Sequence, residues 1–125
     1  MFGETRTAAI LAKAVANDAA GFDAFSALRA ATLGGAKAMG FDHLVGSIEP
    51  GKQADLACVD LSALETQPLH HVVSQLIYAT GRQQVSDVWI AGKSKLSARV
   101  LVDMDMDGII ANARQWRGRI AAIGR

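Results

Sequence analysis

A Pro-Gly pair near the middle of the chain, Pro50-Gly51, fixes a point at which the backbone must turn. Proline holds φ at about −65°, and glycine accepts the positive φ that the third residue of a type II turn requires. The pair therefore predicts such a turn over residues 49–52. The apolar run 56–61 follows and predicts a buried strand. Asp55, between the two, is expected to accept backbone N–H bonds from the loop.

Helical patterns occupy the residues before this turn. In residues 5–15 the apolar side chains recur at helical spacing, and the many alanines favour a helix. Asp23 is the predicted N-cap of a second helix. Thr32 is the predicted N-cap of a short third helix over 33–39, which Gly40 ends in the left-handed conformation. Helices so close together in sequence predict tight packing against a large neighbouring surface.

Strand and helix patterns alternate after the turn. Gln67-Pro68 predicts the start of a helix. Residues 85–91 and 95–102 predict two strands joined by a turn at Gly92, and residues 107–123 predict a C-terminal helix. The chain thus predicts a mixed α+β fold with three strands and five helices. Three strands cannot close a sandwich alone, so partner strands must come from a longer chain or from a second copy.

Composition narrows the class of protein. Half of the 125 residues are apolar, which suffices for the core of one domain. The net charge of +1 argues against nucleic-acid partners. No apolar stretch reaches the ~18 residues of a membrane span, so no membrane partner is expected. The single cysteine, Cys58, excludes a disulfide framework within one chain, and the expected location is therefore the reducing cytoplasm.

Four segments of the sequence, taken in order, resemble one enzyme family. They read MFGETRTAA (1–9), GSIEPGKQADL (46–56), PLHHVVSQLIY (68–78) and VSDVWIAGK (85–93). The set is similar to the TRZ/ATZ group of the amidohydrolase superfamily, and within it to the branch of 5-methylthioadenosine/S-adenosylhomocysteine deaminases. The likeness extends over nearly the whole chain.

The resemblance implies a fold and a position in it. Residues 1–45 would hold the last helices of a (β/α)8 barrel. Residues 46–125 would hold part of the small β-sandwich that accompanies the barrel, together with a C-terminal helix, in one compact unit. In the family a zinc or iron ion activates a water molecule that displaces ammonia from the substrate. Because Met1 and Phe2 would follow the last barrel strand, they are the residues expected to border the substrate pocket.

The metal ligands of the family do not carry over to this sequence. They comprise a His-x-His pair, two further histidines and an aspartate, whereas the histidines here are His43, His70 and His71, none in such a pair. Neighbours in a helix point about 100° apart, so His70 and His71 cannot converge on one ion. We expect one of them to face inward and one outward. The chain is therefore expected to have no catalytic residue, metal site or cofactor of its own.

Other suggestive residues receive structural interpretations. The acidic run 103–108 resembles half of a calcium-binding loop, but the twelfth position of that loop is Arg114, so its aspartates are expected to cap a helix. Cys58 has apolar neighbours and is expected in the core rather than as a nucleophile. Trp89 and Trp116 are expected to anchor the core or an interface.

Two hypotheses follow. In the first, the chain is the C-terminal segment of a metal-dependent deaminase for adenosine-like or related N-heterocyclic substrates, and it is inactive by itself. In the alternative, it is a non-catalytic module that stands alone as a homodimer. Both predict a homodimer or larger oligomer, because apolar faces and strand edges would otherwise be exposed, and Trp89 or Trp116 should lie near the contact.

Overall fold

The computed structural model describes residues 1–123, which form five α-helices and a four-stranded antiparallel sheet. The predicted α+β class is thereby confirmed. The helices are α1 (Phe2–Ala16), α2 (Ala24–Arg29), α3 (Gly35–Ala38), α4 (Val72–Tyr78) and α5 (Met106–Ile123). The strands are β1 (Leu56–Val59), β2 (Val85–Ile90), β3 (Lys93–Ser97) and β4 (Val100–Leu101), in the order β1-β2-β3-β4.

The second and third helices are one continuous helix. The Asp23 carboxylate accepts a hydrogen bond from the Ser26 N–H at 2.8 Å, as an N-cap should, and Gly40 follows the helix with a φ of 76°. A π-helical turn, Ala30–Gly34, joins α2 to α3 without a break. The prediction that Thr32 caps a separate helix was therefore wrong. Its hydroxyl instead donates to the Leu28 carbonyl one turn back, at 2.8 Å, which lets a threonine remain inside a helix.

The core of the helical part is built mainly from alanines. Ala9 of α1, Ala24 and Ala27 of α2, and Ile77 of α4 are buried together. Methyl side chains allow the helices to approach closely, so α4 joins the first two helices although it is distant from them in sequence. Arg6 strengthens this contact, since its guanidinium donates to the carbonyl oxygens of Ile77 (3.2 Å) and Thr80 (2.7 Å) at the C-terminal end of α4.

Helix α4 begins later than predicted. It starts at Val72 rather than at Gln67-Pro68, and a short 3₁₀ turn, Leu64–Thr66, precedes it. His71 is the N-cap, because its backbone is extended and its Nδ1 accepts a hydrogen bond from the Ser74 N–H at 3.1 Å. A side-chain acceptor of this kind satisfies a free N–H group of the first turn, which proline cannot do.

The sheet contains one strand more than predicted. The single strand expected over 95–102 is instead the pair β3 and β4, which reverses at Ala98 and Arg99, with φ values of 47° and 66°. Neither residue is a common turn former, which explains the error. The Asp87 carboxylate accepts a hydrogen bond from the Ala98 N–H at 3.0 Å, and the Arg99 N–H donates to the Ser86 carbonyl at 2.8 Å, so β2 supports the reversal.

Within residues 1–123, strand β1 forms one edge of the sheet and pairs only with β2, with Leu56 opposite Trp89. Cys58 in this strand is exposed, so the expectation of a core cysteine was wrong for the residues described. Leu56, Ala57 and Cys58 are all exposed and Val59 is half-buried, so the expectation of a buried strand was also wrong. Successive side chains of a strand point to opposite faces of the sheet, and neither face of β1 is covered in the part of the chain that the structure describes.

Helix α5 follows the sheet. Its start is capped as expected, because the Asp105 carboxylate accepts a hydrogen bond from the Gly108 N–H at 2.9 Å. Every one of its residues is exposed. In the described part of the chain, none of the helices has both the length and the apolar character needed to cross a membrane.

Candidate functional site

Met1 and Phe2, the residues expected to border a substrate pocket, lie at the N-terminal end of α1. Phe2 is half-buried, while Met1 is 82% exposed and its carbonyl accepts hydrogen bonds from the N–H and hydroxyl groups of Thr5, both at 2.9 Å. A groove of about 380 Å³ runs from Met1 between α1 and α2. Its walls are mainly apolar and include Phe22 and Ala31. The structure therefore places Met1, but not Phe2, on this groove.

Glu4 supplies a carboxylate at the same groove. It accepts a hydrogen bond from the Met1 ammonium at 2.6 Å, which is the main reason that its pKa lies below the ordinary value. The lining of the groove is otherwise mainly apolar.

The possible metal ligands lie apart from one another. His43, His70 and His71 are all exposed, so the expectation that one histidine of the pair faces inward was wrong. His71 caps α4 through its Nδ1 atom, and Cys58 lies on the edge strand. Within residues 1–123, no three His, Cys, Asp or Glu side chains come together in a way that could hold a metal ion. The donor set of the described chain therefore does not fit a zinc or iron site.

The Pro50-Gly51 turn has the expected geometry. Gly51 has a φ of 91°, and the Lys52 N–H donates to the Glu49 carbonyl at 3.2 Å. Lys52 is a residue whose role the sequence did not reveal. Its ammonium donates to the Asp42 carbonyl and to the Ser47 hydroxyl, both at 2.6 Å, and so holds together the loop between α3 and β1.

This loop also packs against the helix before it. Gly46 has a φ of 94°, and a Cβ atom at this position would lie 2.8 Å from the Ala36 Cβ and 2.9 Å from the Leu33 Cα. Only glycine combines that backbone conformation with so close an approach. The glycine and Lys52 therefore fix how the helices connect to the sheet.

Asp55 was expected to accept hydrogen bonds from its own loop, but its partner lies in a different segment of the chain. Its carboxylate accepts a hydrogen bond from the Ala91 N–H at 2.6 Å, and the Gly92 N–H donates to the Ala54 carbonyl at 3.0 Å. Ala91 and Gly92 both have positive φ, as a two-residue hairpin turn between β2 and β3 requires. The start of β1 is thus fastened to this hairpin.

A second carboxylate, Asp60, organises the other end of β1. It accepts hydrogen bonds from the Ser62 N–H and from the Arg99 guanidinium, both at 2.9 Å. The bonds from Ser62, followed by the contact with Arg99, lower the pKa of Asp60 from 3.8 to about 2. Asp60 and Arg99 are far apart in sequence, and no local motif predicts their contact.

Comparison with known proteins identifies the family. The model of the amidohydrolase family matches residues 1–95, and the chain therefore belongs to this family. It is 47% identical over 122 residues to the 5-methylthioadenosine/S-adenosylhomocysteine deaminase of Teredinibacter turnerae and 36% identical to that of Saccharophagus degradans, with 98% of the chain aligned in both cases. The chain spans little more than a quarter of the length of these relatives, 28% and 27% respectively.

Solved structures give the same result. A crystal structure of an adenosine deaminase from Xanthomonas campestris with bound zinc is 73% identical to the chain, with a TM-score of 0.95 over 98% of the chain and 28% of that protein. An atrazine chlorohydrolase from Arthrobacter aurescens complexed with zinc is 26% identical, with a TM-score of 0.82 over 92% of the chain and 26% of that protein. The chain thus has the fold of one part of these larger amidohydrolases.

Proposed function

We propose that the chain is the C-terminal portion of a metal-dependent deaminase acting on adenosine-like or related N-heterocyclic substrates. The observation that carries this proposal is the 73% identity and the TM-score of 0.95 to the zinc-containing adenosine deaminase. The names of the curated relatives support the same substrate class.

In this proposal, the helices of residues 1–45 are the last helices of the enzyme's barrel, and β1–β4 are part of its small sandwich. Ile10, Leu11 and Val15 support this assignment because they are exposed apolar residues on α1, a helix whose opposite face buries Ala9. An apolar outer surface on a helix that is already packed on its inner side requires a second layer to cover it.

Residues of this chain would support the catalytic centre without performing the chemistry. The metal and its ligands belong to the rest of the enzyme, since the described residues do not fit a metal site. Met1 and Phe2 would border the substrate pocket from the N-terminal end of α1. The loop fastened by Lys52 would hold the barrel helices in a fixed position relative to the sandwich.

A chimeric enzyme tests this proposal. The matching segment of the Teredinibacter turnerae deaminase is replaced by residues 1–125, and ammonia release from 5-methylthioadenosine is measured in the presence of zinc. We expect activity within about tenfold of the intact relative, because the aligned segments share both fold and sequence. A folded, zinc-loaded chimera without activity would contradict the proposal.

The isolated chain is the matched control. Incubated with zinc and the same substrate, it should release no ammonia and retain no stoichiometric zinc after gel filtration. Deamination by the isolated chain would contradict the assignment of the chemistry to the rest of the enzyme. An inactive, well-folded chimera together with a dimeric isolated chain would instead favour the non-catalytic assembly module.

A further inference from the structure

A largely buried ammonium group holds the connecting loop, residues 39–55, that leads from α3 to β1. The Lys52 side chain is 14% exposed, and its ammonium donates to the Asp42 carbonyl and to the Ser47 hydroxyl, both at 2.6 Å. A carboxylate oxygen of Glu49 lies 3.8 Å from the same nitrogen. Because a buried ammonium must find its partners within the protein, these oxygens and the ammonium fix the loop in one conformation.

The connecting loop packs directly against the helix before it. A Cβ atom at Gly46 would lie 2.9 Å from the Leu33 Cα and 3.2 Å from the Thr32 carbonyl oxygen. Both of these residues belong to the π-helical turn Ala30–Gly34, which joins α2 to α3. Turns of this kind are rare and are frequently found at functional sites. The loop therefore supports the least regular part of the helix.

The opposite side of the same helix forms one wall of the groove that begins at Met1. Ala31 and Gly35 line this groove of about 380 Å³ and, being four residues apart, lie on one side of the helix. Leu33 is two residues from each of them and so lies on the other side, where the loop packs. Since close-packed groups transmit a displacement to their neighbours, a shift of the loop should move the groove wall.

We propose that Lys52 is a positioning residue for substrate binding. Its contacts hold the connecting loop on the π-helical turn, and the turn fixes the groove wall beside Met1. Lys52 does not line the groove, so it acts through the helix and not by touching the substrate. This inference rests on the proposed function, in which Met1 borders the substrate pocket and the metal ligands lie in the rest of the enzyme.

Steady-state kinetics of the chimeric deaminase test the proposal. Lys52→Met removes the N–H donors but keeps a side chain of similar length. We expect this change to raise KM for 5-methylthioadenosine about fivefold or more and to alter kcat per bound zinc by less than about threefold. A merely structural role would lower the amount of folded, zinc-loaded enzyme and leave the KM of the remainder unaltered.

Three further variants make the result specific. Lys52→Arg keeps a charged donor and should recover part of the KM change. Ser47→Ala removes one of the oxygen partners and should raise KM in the same direction by a smaller factor, which keeps the test decisive if Lys52→Met fails to fold. Lys37→Met, at an exposed position of α3, is the matched control and should leave KM unchanged.

Amide hydrogen exchange of the isolated chain tests the structural step separately. In Lys52→Met, the amides of the π-helical turn should exchange about tenfold faster or more, because the support of the loop is weakened. The amides of α4, which does not contact the loop through Lys52, are the internal reference and should exchange at an unchanged rate.

The outcomes separate this inference from the proposed function. If the unaltered chimera is inactive, the proposed function fails and this inference fails with it. If the chimera is active but KM stays unchanged in both Lys52→Met and Ser47→Ala, this inference alone is overturned. Unchanged exchange in the π-helical turn would also overturn it. A selective rise in KM together with faster exchange in that turn would establish it.

Discussion

Three glycines of the chain differ in what a methyl group would meet. At Gly3 a Cβ atom has open space and an ordinary backbone, at Gly51 it has open space but a φ of 91°, and at Gly46 it meets a φ of 94° and two atoms within 3 Å. An alanine at Gly3 therefore tests helix propensity alone, and one at Gly51 tests backbone strain alone. An alanine at Gly46 tests backbone strain together with steric overlap.

We expect alanine substitutions to rank in that order. Gly3→Ala should leave the free energy of unfolding unchanged or raise it by up to about 1 kcal/mol, because alanine favours a helix. Gly51→Ala should lower it by about 1 kcal/mol or more, and Gly46→Ala by about 2–4 kcal/mol, since overlap adds to strain. Urea denaturation followed by circular dichroism measures all three. Equal losses at Gly46 and Gly51 would contradict the close approach of the loop to the helix.

Asp60 should make stability depend on pH in the acid range. Its pKa is lowered in the folded protein from 3.8 to about 2 by Ser62 and Arg99. The stabilisation is therefore present above the unfolded-state pKa and is lost as the pH falls through the folded-state value. The melting temperature of Asp60→Asn should lie below that of the unaltered chain at pH 7, and the gap should close between about pH 4 and 2. A gap that stays constant down to pH 2 would contradict this pairing.

At the scale of elements, Arg6 adds two hydrogen bonds to the packed contact between α1 and α4. Arg6 donates to the carbonyl oxygens of Ile77 and Thr80 at the C-terminal end of α4. Carbonyl groups at the end of a helix have no N–H partner within the helix, so a side-chain donor can satisfy them. Arg6→Ala should lower the free energy of unfolding by about 1.5–3 kcal/mol, because a charged donor is lost and two carbonyls lose their partner. Lys37→Ala, at an exposed position of α3, is the matched control and should change stability by less than about 0.5 kcal/mol.

The conservative change refines this test. Arg6→Lys retains the charge but has a single ammonium group instead of a planar fork, so it should recover part of the loss only. Amide hydrogen exchange at the end of α4 should accelerate in Arg6→Ala more than in Arg6→Lys. Full recovery by lysine would indicate that charge, rather than the geometry of the two hydrogen bonds, supports the contact.

The sequence predicted those elements whose causes are local. Asp23 as a cap, Gly40 as a helix end and Pro50-Gly51 as a turn all depend on a few adjacent residues, and the structure agrees with each. The β3–β4 reversal was missed because the N–H groups of Ala98 and Arg99 donate hydrogen bonds to acceptors on β2, which no local turn motif reveals. The roles of Lys52 and Arg6 and the contact of Asp60 with Arg99 were missed for the same reason: each depends on partners that folding brings together.

At the scale of the whole molecule, the outer face of α1 links the fold to the proposed function. Ile10 and Leu11 are 55% and 58% exposed in the chain, but they would be covered by the rest of a barrel in the complete enzyme. The double variant Ile10→Ser/Leu11→Ser should therefore change the stability of the isolated chain by less than about 1 kcal/mol.

The same substitutions in the chimeric deaminase should have a different effect. There we expect activity and thermal stability to fall substantially, because polar groups would be buried without partners. The control is Lys37→Ser in both proteins, which should alter neither. Equal tolerance of the double variant in the chain and in the chimera would indicate that this face of α1 stays exposed in the enzyme.

The alanine core has a consequence for how the sequence can vary. Ala9, Ala24, Ala27 and Ala36 are each 7% exposed or less, whereas Phe25, Phe41 and Trp116 are at least half exposed. In most proteins, replacement of a large aromatic residue is the change least tolerated. In this chain taken alone, we expect the buried alanines to tolerate replacement less well than the exposed aromatic residues. In a saturation library scored for folding, the largest fraction of unfolded variants should occur where the buried alanines are replaced by larger residues. These alanines should therefore prove the least replaceable residues of the chain.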